Sequence, residues 1–171
     1  MADRLPITTR NLDRYGGPEL PWTQAHDLLK SGPKGPMVGF FLGTVCPNGR
    51  PHVAGVGAVW HDGDLYFPSG PGTRKSRNLA TNPASTIAVK LPGMDLTLEG
   101  EATRVTDPDV LAQVAEVYRQ LGWPAEVDGD AFTAPYSAPS AGPPPWNLYR
   151  FRYRTVVGLG TETQGATMWR F

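Results

Sequence analysis

The chain has 171 residues, with 16 basic and 16 acidic side chains and a formal net charge of zero. That balance lacks the electrostatic footprint of a general nucleic-acid binder, and the single cysteine, Cys46, excludes an internal disulfide framework and a thiolate-rich zinc site. No apolar run approaches the roughly 20 residues of a membrane span, and the first residues carry no apolar signal core. The expectation is a cytoplasmic globular chain with no membrane partner.

Residues 1–22 are polar and turn-rich and read as an N-terminal arm ahead of a single domain, 23–171. Thr23 is placed to cap a short helix through Lys30, with Ala25, Leu28 and Leu29 on its apolar side. A glycine–proline break then leads into a strand from Met37 to Val45, an Asn48-Gly49 turn, and a returning strand from Pro51 to Trp60. Asp62-Gly63 turns the chain once more into Leu65-Tyr66-Phe67, so three strands and two tight turns form an antiparallel meander. Gly55 and Gly57 stand two apart and strip one face of the second strand of side chains. Such a bare face marks either close approach of a ligand or a bulge at a barrel corner.

The next segment, Ser69-Gly70-Pro71-Gly72-Thr73-Arg74-Lys75-Ser76-Arg77-Asn78-Leu79, carries a glycine-containing turn into a short helix. Thr73 is a natural N-cap, and three cations follow it within the first turn or just beyond. Cations oppose the dipole at a helix start. Either a phosphate sits there, held by free N–H groups, a hydroxyl and basic side chains, or the run is a solvated basic face.

Ala84 to Leu91 and Leu96 to Val105 read as two strands around Pro92-Gly93. Asp107-Pro108 opens a helix whose apolar residues Val110, Leu111, Val114, Val117, Tyr118 and Leu121 keep the 3.6 period, with Gly122 to close it. Residues 123–145 read as a long irregular loop rich in proline, and Trp146 to Leu159 and Ala166 to Phe171 supply late strands. Many antiparallel strands with few helices predict a barrel.

No nucleophile elbow, phosphate-loop lysine or His-Glu-x-x-His occurs, and His26, His52 and His61 are scattered. The sequence therefore offers neither a catalytic side chain nor a metal centre.

Thr73-Arg74-Lys75-Ser76-Arg77-Asn78-Leu79-Ala80-Thr81-Asn82-Pro83 resembles the phosphate-binding segment of the pyridoxamine-phosphate-oxidase-like flavoproteins, and Asn48-Gly49-Arg50-Pro51 resembles the family's Asp-Gly-Arg-Pro turn. The resemblance implies a mainly β fold: a six-stranded antiparallel split β-barrel, the FMN-binding split barrel, with a few flanking α-helices. It implies that Thr73, Arg74 and Lys75 hold a cofactor phosphate with Arg77 in support, and that Ser69 and Gly70 lie beside the phosphate or ribityl chain. Ala54, Gly55, Val56, Gly57, Ala58 and Val59 would line the cofactor ring. His52, Trp60, Tyr136 and Trp146 are the candidates for a substrate face. A homodimer with two cofactors at its interface is implied as well.

The oxidase proper carries an arginine and a lysine at the places held here by Ala54 and Val59. This lighter strand resembles the deazaflavin branch, and implies an F420-dependent reductase acting on a small organic molecule. The alternatives are an FMN-binding relative and a cofactor carrier or sensor without turnover.

Overall fold

The structure is a computed structural model that describes residues 4–33 and 39–171. The predicted strand start at Met37 and Val38 lies outside those residues. Eleven strands and three helices are described: β1 (Thr8–Asn11), α1 (Trp22–Ser31), β2 (Phe40–Val45), β3 (Pro51–Val56), β4 (Val59–His61), β5 (Asp64–Ser69), α2 (Arg74–Thr81), β6 (Ala84–Leu91), β7 (Met94–Val105), α3 (Pro108–Gln120), β8 (Glu126–Asp128), β9 (Ala131–Thr133), β10 (Asn147–Gly160) and β11 (Ala166–Arg170). Nine strands share one sheet in the order β1-β11-β10-β7-β6-β2-β3, with β5 on β10 and β4 on β5. The mainly β, antiparallel split-barrel class holds, while the sheet has nine strands where six are expected.

The long β10 organises this sheet. It pairs with β7 along its length; its other edge takes β5 along Asn147–Phe151 and β11 along Thr155–Leu159. The register shifts between Tyr153 and Thr155, where extra twist lets the sheet curl. Strict alternation in β6, with Ser85, Ile87, Val89 and Leu91 inward, packs its apolar face against the barrel interior. Leu42, Ile87, Leu98, Phe151 and Trp169 are essentially solvent-free there. A second core lies under α3, where Leu111 and Val114 meet Phe132 and Leu148.

Several elements depart from the sequence reading. The arm contributes strand β1, which pairs with β11, because unsatisfied backbone groups at a sheet edge recruit any extended chain nearby. Arg4 then fastens the chain's start: its guanidinium donates to Asp64 at 3.1 Å and to the Tyr153 carbonyl at 2.8 Å, and lies over the Tyr153 ring. Asp64, almost wholly buried, also accepts from Arg150 Nε at 2.6 Å. Helix α1 begins at Trp22 behind Pro21, with no side-chain cap, so Thr23 is helical and not the cap; burying Trp22 outweighs a cap bond. Asp107 does cap α3, accepting from the amides of Asp109 and Val110. The predicted strand 51–60 breaks after Val56, and its second part pairs with β5 instead. Within the 123–145 loop, β8 and β9 form a small hairpin. No helix among the described residues is long and apolar enough to cross a membrane.

Candidate functional site

The split in the barrel lies along β3. This strand ends the sheet, paired with β2 on one edge and with no strand on the other among the described residues. An unpaired edge leaves backbone N–H and C=O groups facing outward. Here they face a gap bounded by the end of β5, the start of α2 and the proline-rich loop.

Helix α2 is built to present its first turn to that gap. Thr73 accepts from the Ser76 amide at 3.3 Å and its hydroxyl reaches the Gly70 carbonyl at 2.9 Å. Ser69, Thr73 and Ser76 form a hydroxyl triangle with edges of 2.8–3.1 Å. The network ties β5 to the helix and leaves the Arg74 and Lys75 amides without intrahelical acceptors. Thr73 thus serves the site as its cap, with its hydroxyl turned inward. Asn78, buried, donates to Thr44 at 3.0 Å and ties the helix to β2.

Two recesses, of about 430 and 700 Å³, meet at Gly70, Lys75, Ser140 and Ala141. The smaller has Gly55, Val56 and Gly57 along one side and Tyr118, Trp123 and Tyr136 around it. The larger is walled by His52, Ala54, Thr73, Arg74 and the loop residues Gly142–Pro145. Ala141 crosses between them, its carbonyl so close to Gly70 that a Cβ there would collide with it. By contrast, a Cβ on Gly55 or Gly57 would meet nothing within 4 Å. Gly55 in β3 and Gly57 just past its end thus border open space large enough for a flat ligand, and Gly57 also stands where the chain breaks from β3 toward β4, the corner that the alternative named.

Lys75 is half-buried, and burial pushes its ammonium below the ordinary lysine pKa. A cation partly stripped of water and set beside a helix start is suited to an anion. Tyr118, pushed well above the usual phenol range by burial, stays a neutral donor. Its hydroxyl lies 2.6 Å from the Gly57 carbonyl and 3.1 Å from that of Tyr66, so α3 holds the end of β3 in place.

The structure brings Ala54, Gly55, Val56, Gly57, Ser69, Gly70, Thr73, Arg74, Lys75, His52 and Tyr136 to these two recesses. It takes five expected residues elsewhere. Ala58 and Val59 follow the break in β3 and face a separate recess beside Leu29 and Val117. Trp60 borders that recess too and packs on the His26 ring at 5.3 Å, because β4 turns toward β5. Trp146 is buried, with its ring 5.9 Å from Trp123 and its Nε1 donating to Gly142; it anchors the loop. Arg77 donates to the Gly72 carbonyl at 2.8 Å and stands on another face of α2. Tyr118 and Trp123 are the residues the sequence reading missed. Tyr118 sits within an apolar helical stripe like any core residue; Trp123 had only its place in an aromatic loop to recommend it.

Barrel, open edge strand and basic helix start together define a split-barrel protein of the flavin-binding type. The chain belongs to the pyridoxamine 5'-phosphate oxidase family, whose sequence pattern matches residues 38–151. No curated protein sequence matches it. Among solved structures, it is similar to an F420 reductase, with 22% identity over 77% of this chain and 94% of that one and a TM-score of 0.51. An FAD-binding protein from Mesorhizobium loti is similar at 15% identity over 95% and 98%, TM-score 0.53. A heme-binding protein from Mycobacterium smegmatis is similar at 20% identity, over 76% of this chain and 51% of that chain, TM-score 0.53. These likenesses establish the fold.

Proposed function

We propose that the chain is a flavin-type oxidoreductase, in particular an F420-dependent reductase that acts on a small organic molecule, with FMN as the alternative cofactor. The observation that carries this reading is the two-part gap: a strand end bare of side chains at Gly55 and Gly57 beside an aromatic chamber, continuous at Lys75 with a basic helix start. Similarity to an F420 reductase supports the deazaflavin assignment, as does the absence of basic side chains at Ala54 and Val59.

When bound, either cofactor supplies the electron-transfer chemistry itself. The chain's part is to bind, orient and exclude water. Arg74, Lys75 and their amides would hold the phosphate, and Gly55 and Gly57 would let the ring approach the backbone. Tyr118, Trp123 and Tyr136 would wall the substrate side with apolar surface. A second copy of the chain is part of the proposal. Phe41 (55% exposed) and Val53 (62% exposed) stand on the outer face of β2 and β3, an apolar patch running up to Gly55.

Absorbance and fluorescence titration of the purified protein with F420 and with FMN tests the reading. Saturable binding of F420, followed by oxidation of reduced F420 when quinones or activated alkenes are supplied, is the expected result. Binding of neither cofactor at micromolar concentration overturns it.

A further inference from the structure

Arg74, Arg77 and Asn78 stand at i, i+3 and i+4 and so share one face of α2, about a quarter turn from Lys75. That face and the turn Cys46–Pro51 border an open recess of about 540 Å³. Three guanidinium-bearing residues line it (Arg50, Arg74 and Arg77), and no carboxylate does. None of the three forms an ion pair among the described residues.

The walls are fixed by bonds that spare the guanidinium of Arg50. Cys46 and Arg50 close the turn, N to O, at 2.8 Å, the Gly49 amide donates to Cys46 at 2.8 Å, and Asn48 accepts from the Arg50 amide at 3.2 Å. The Asn78 amide reaches Thr44 and the Cys46 sulfur from the helix side. Three like charges around one hollow repel one another, and an anion between them relieves that repulsion. The arginine fork matches carboxylate and phosphate oxygens. The hollow is much larger than one phosphate, so it suits a molecule with two or more such groups.

We propose that this recess is a second anion site, separate from the cofactor cleft, for a small polycarboxylate or oligophosphate. Arg74 lines both spaces, which couples them: an anion in the recess competes for Arg74 and weakens binding in the cleft. The inference does not depend on which cofactor, if any, occupies that cleft.

Citrate and pyrophosphate, titrated calorimetrically into the full chain at low and at physiological salt, are the probes. One binding event is expected that persists in Lys75→Ala and is at least tenfold weaker in Arg50→Gln and in Arg77→Gln; an event lost in Lys75→Ala belongs to the cleft instead. Arg50→Lys keeps the charge and loses the fork, and is expected to fall between Arg50→Gln and the parent. Lys75→Ala is expected to leave citrate affinity within twofold, and Arg50→Gln to leave FMN affinity within twofold. Absence of citrate and pyrophosphate binding by the parent chain overturns the proposal. So does citrate affinity indifferent to both glutamine variants while circular dichroism shows them folded. An FMN affinity that falls in step with citrate in Arg50→Gln also overturns it, by making the recess part of the cofactor site. Failure of the cofactor reading shows separately, as absence of FMN and F420 binding with citrate binding intact.

Discussion

Lys75 reaches both halves of the gap, and half-burial makes its charge costly when the gap holds no anion. Its pKa is lowered in the folded chain, so the folded state holds this proton less tightly than the unfolded one. The resulting stability penalty is complete at low pH and lifts as pH rises through the lowered value toward the ordinary lysine pKa of about 10.4. A bound phosphate reverses the shift. Cofactor affinity should therefore fall as pH climbs through the lowered lysine pKa, and titrations between pH 7 and 10 should show that limb flattened in Lys75→Ala. At neutral pH the same variant should lose about 1.5–3 kcal/mol of binding, the usual worth of a charge-assisted hydrogen bond. Gly57 tests the other half of the gap. Space surrounds its missing Cβ, so Gly57→Val should leave the thermal midpoint near that of the parent while reducing FMN or F420 affinity at least tenfold. Unchanged affinity in that variant would remove the stretch at the end of β3 as the proposed platform of the ring.

At the scale of elements, the site is an agreement between three pieces that the chain supplies far apart. Strand β5 and helix α2 are joined by the Ser69–Thr73–Ser76 hydroxyls, and α3 holds β3 through one phenol. Tyr118→Phe removes that hydroxyl and leaves the ring packed against Trp123 and Phe132. The loss should be about 1 kcal/mol of stability by denaturant midpoint, with a larger proportional loss of cofactor affinity, because the Gly57 carbonyl is then unrestrained. Equal losses in both measurements would reduce Tyr118 to a core residue. The sequence reading found most strands and all three helices, since alternation in β6 and the capped 3.6 period of α3 are local signals. It overran β3 because Val53, Val56, Val59 and Trp60 read as one strand across the glycines; what ends the strand is competition for pairing, with β4 choosing β5 over β2.

For the whole molecule, the exposed pair Phe41 and Val53 sets the question of assembly. They are the apolar side chains on which the proposed second copy would sit. Light scattering coupled to gel filtration should report twice the monomer mass for the parent chain, and a shift toward the monomer for the double substitution Phe41→Glu, Val53→Glu. A monomeric parent would remove the second copy from the proposed site. Assembly and binding are then separable, since cofactor titration of the monomeric variant reports how much of the site one chain completes.

The sequence by itself determined the antiparallel class, the glycine-bare strand, the cap at Thr73 and the cations after it. Each rests on local chemistry: side-chain period, turn residues, and the needs of a helix start. Only the tertiary structure decided which of those cations meet the gap and which do not. Arg74 and Lys75 reach it and Arg77 does not, because the helix rotates successive residues by about 100° and its docking on β2 through Asn78 chooses the face. It also placed Trp60 and Trp146 outside the two recesses and set Tyr118 and Trp123 on the wall of the smaller one. Those placements depend on contacts between segments dozens of residues apart, which no local pattern encodes.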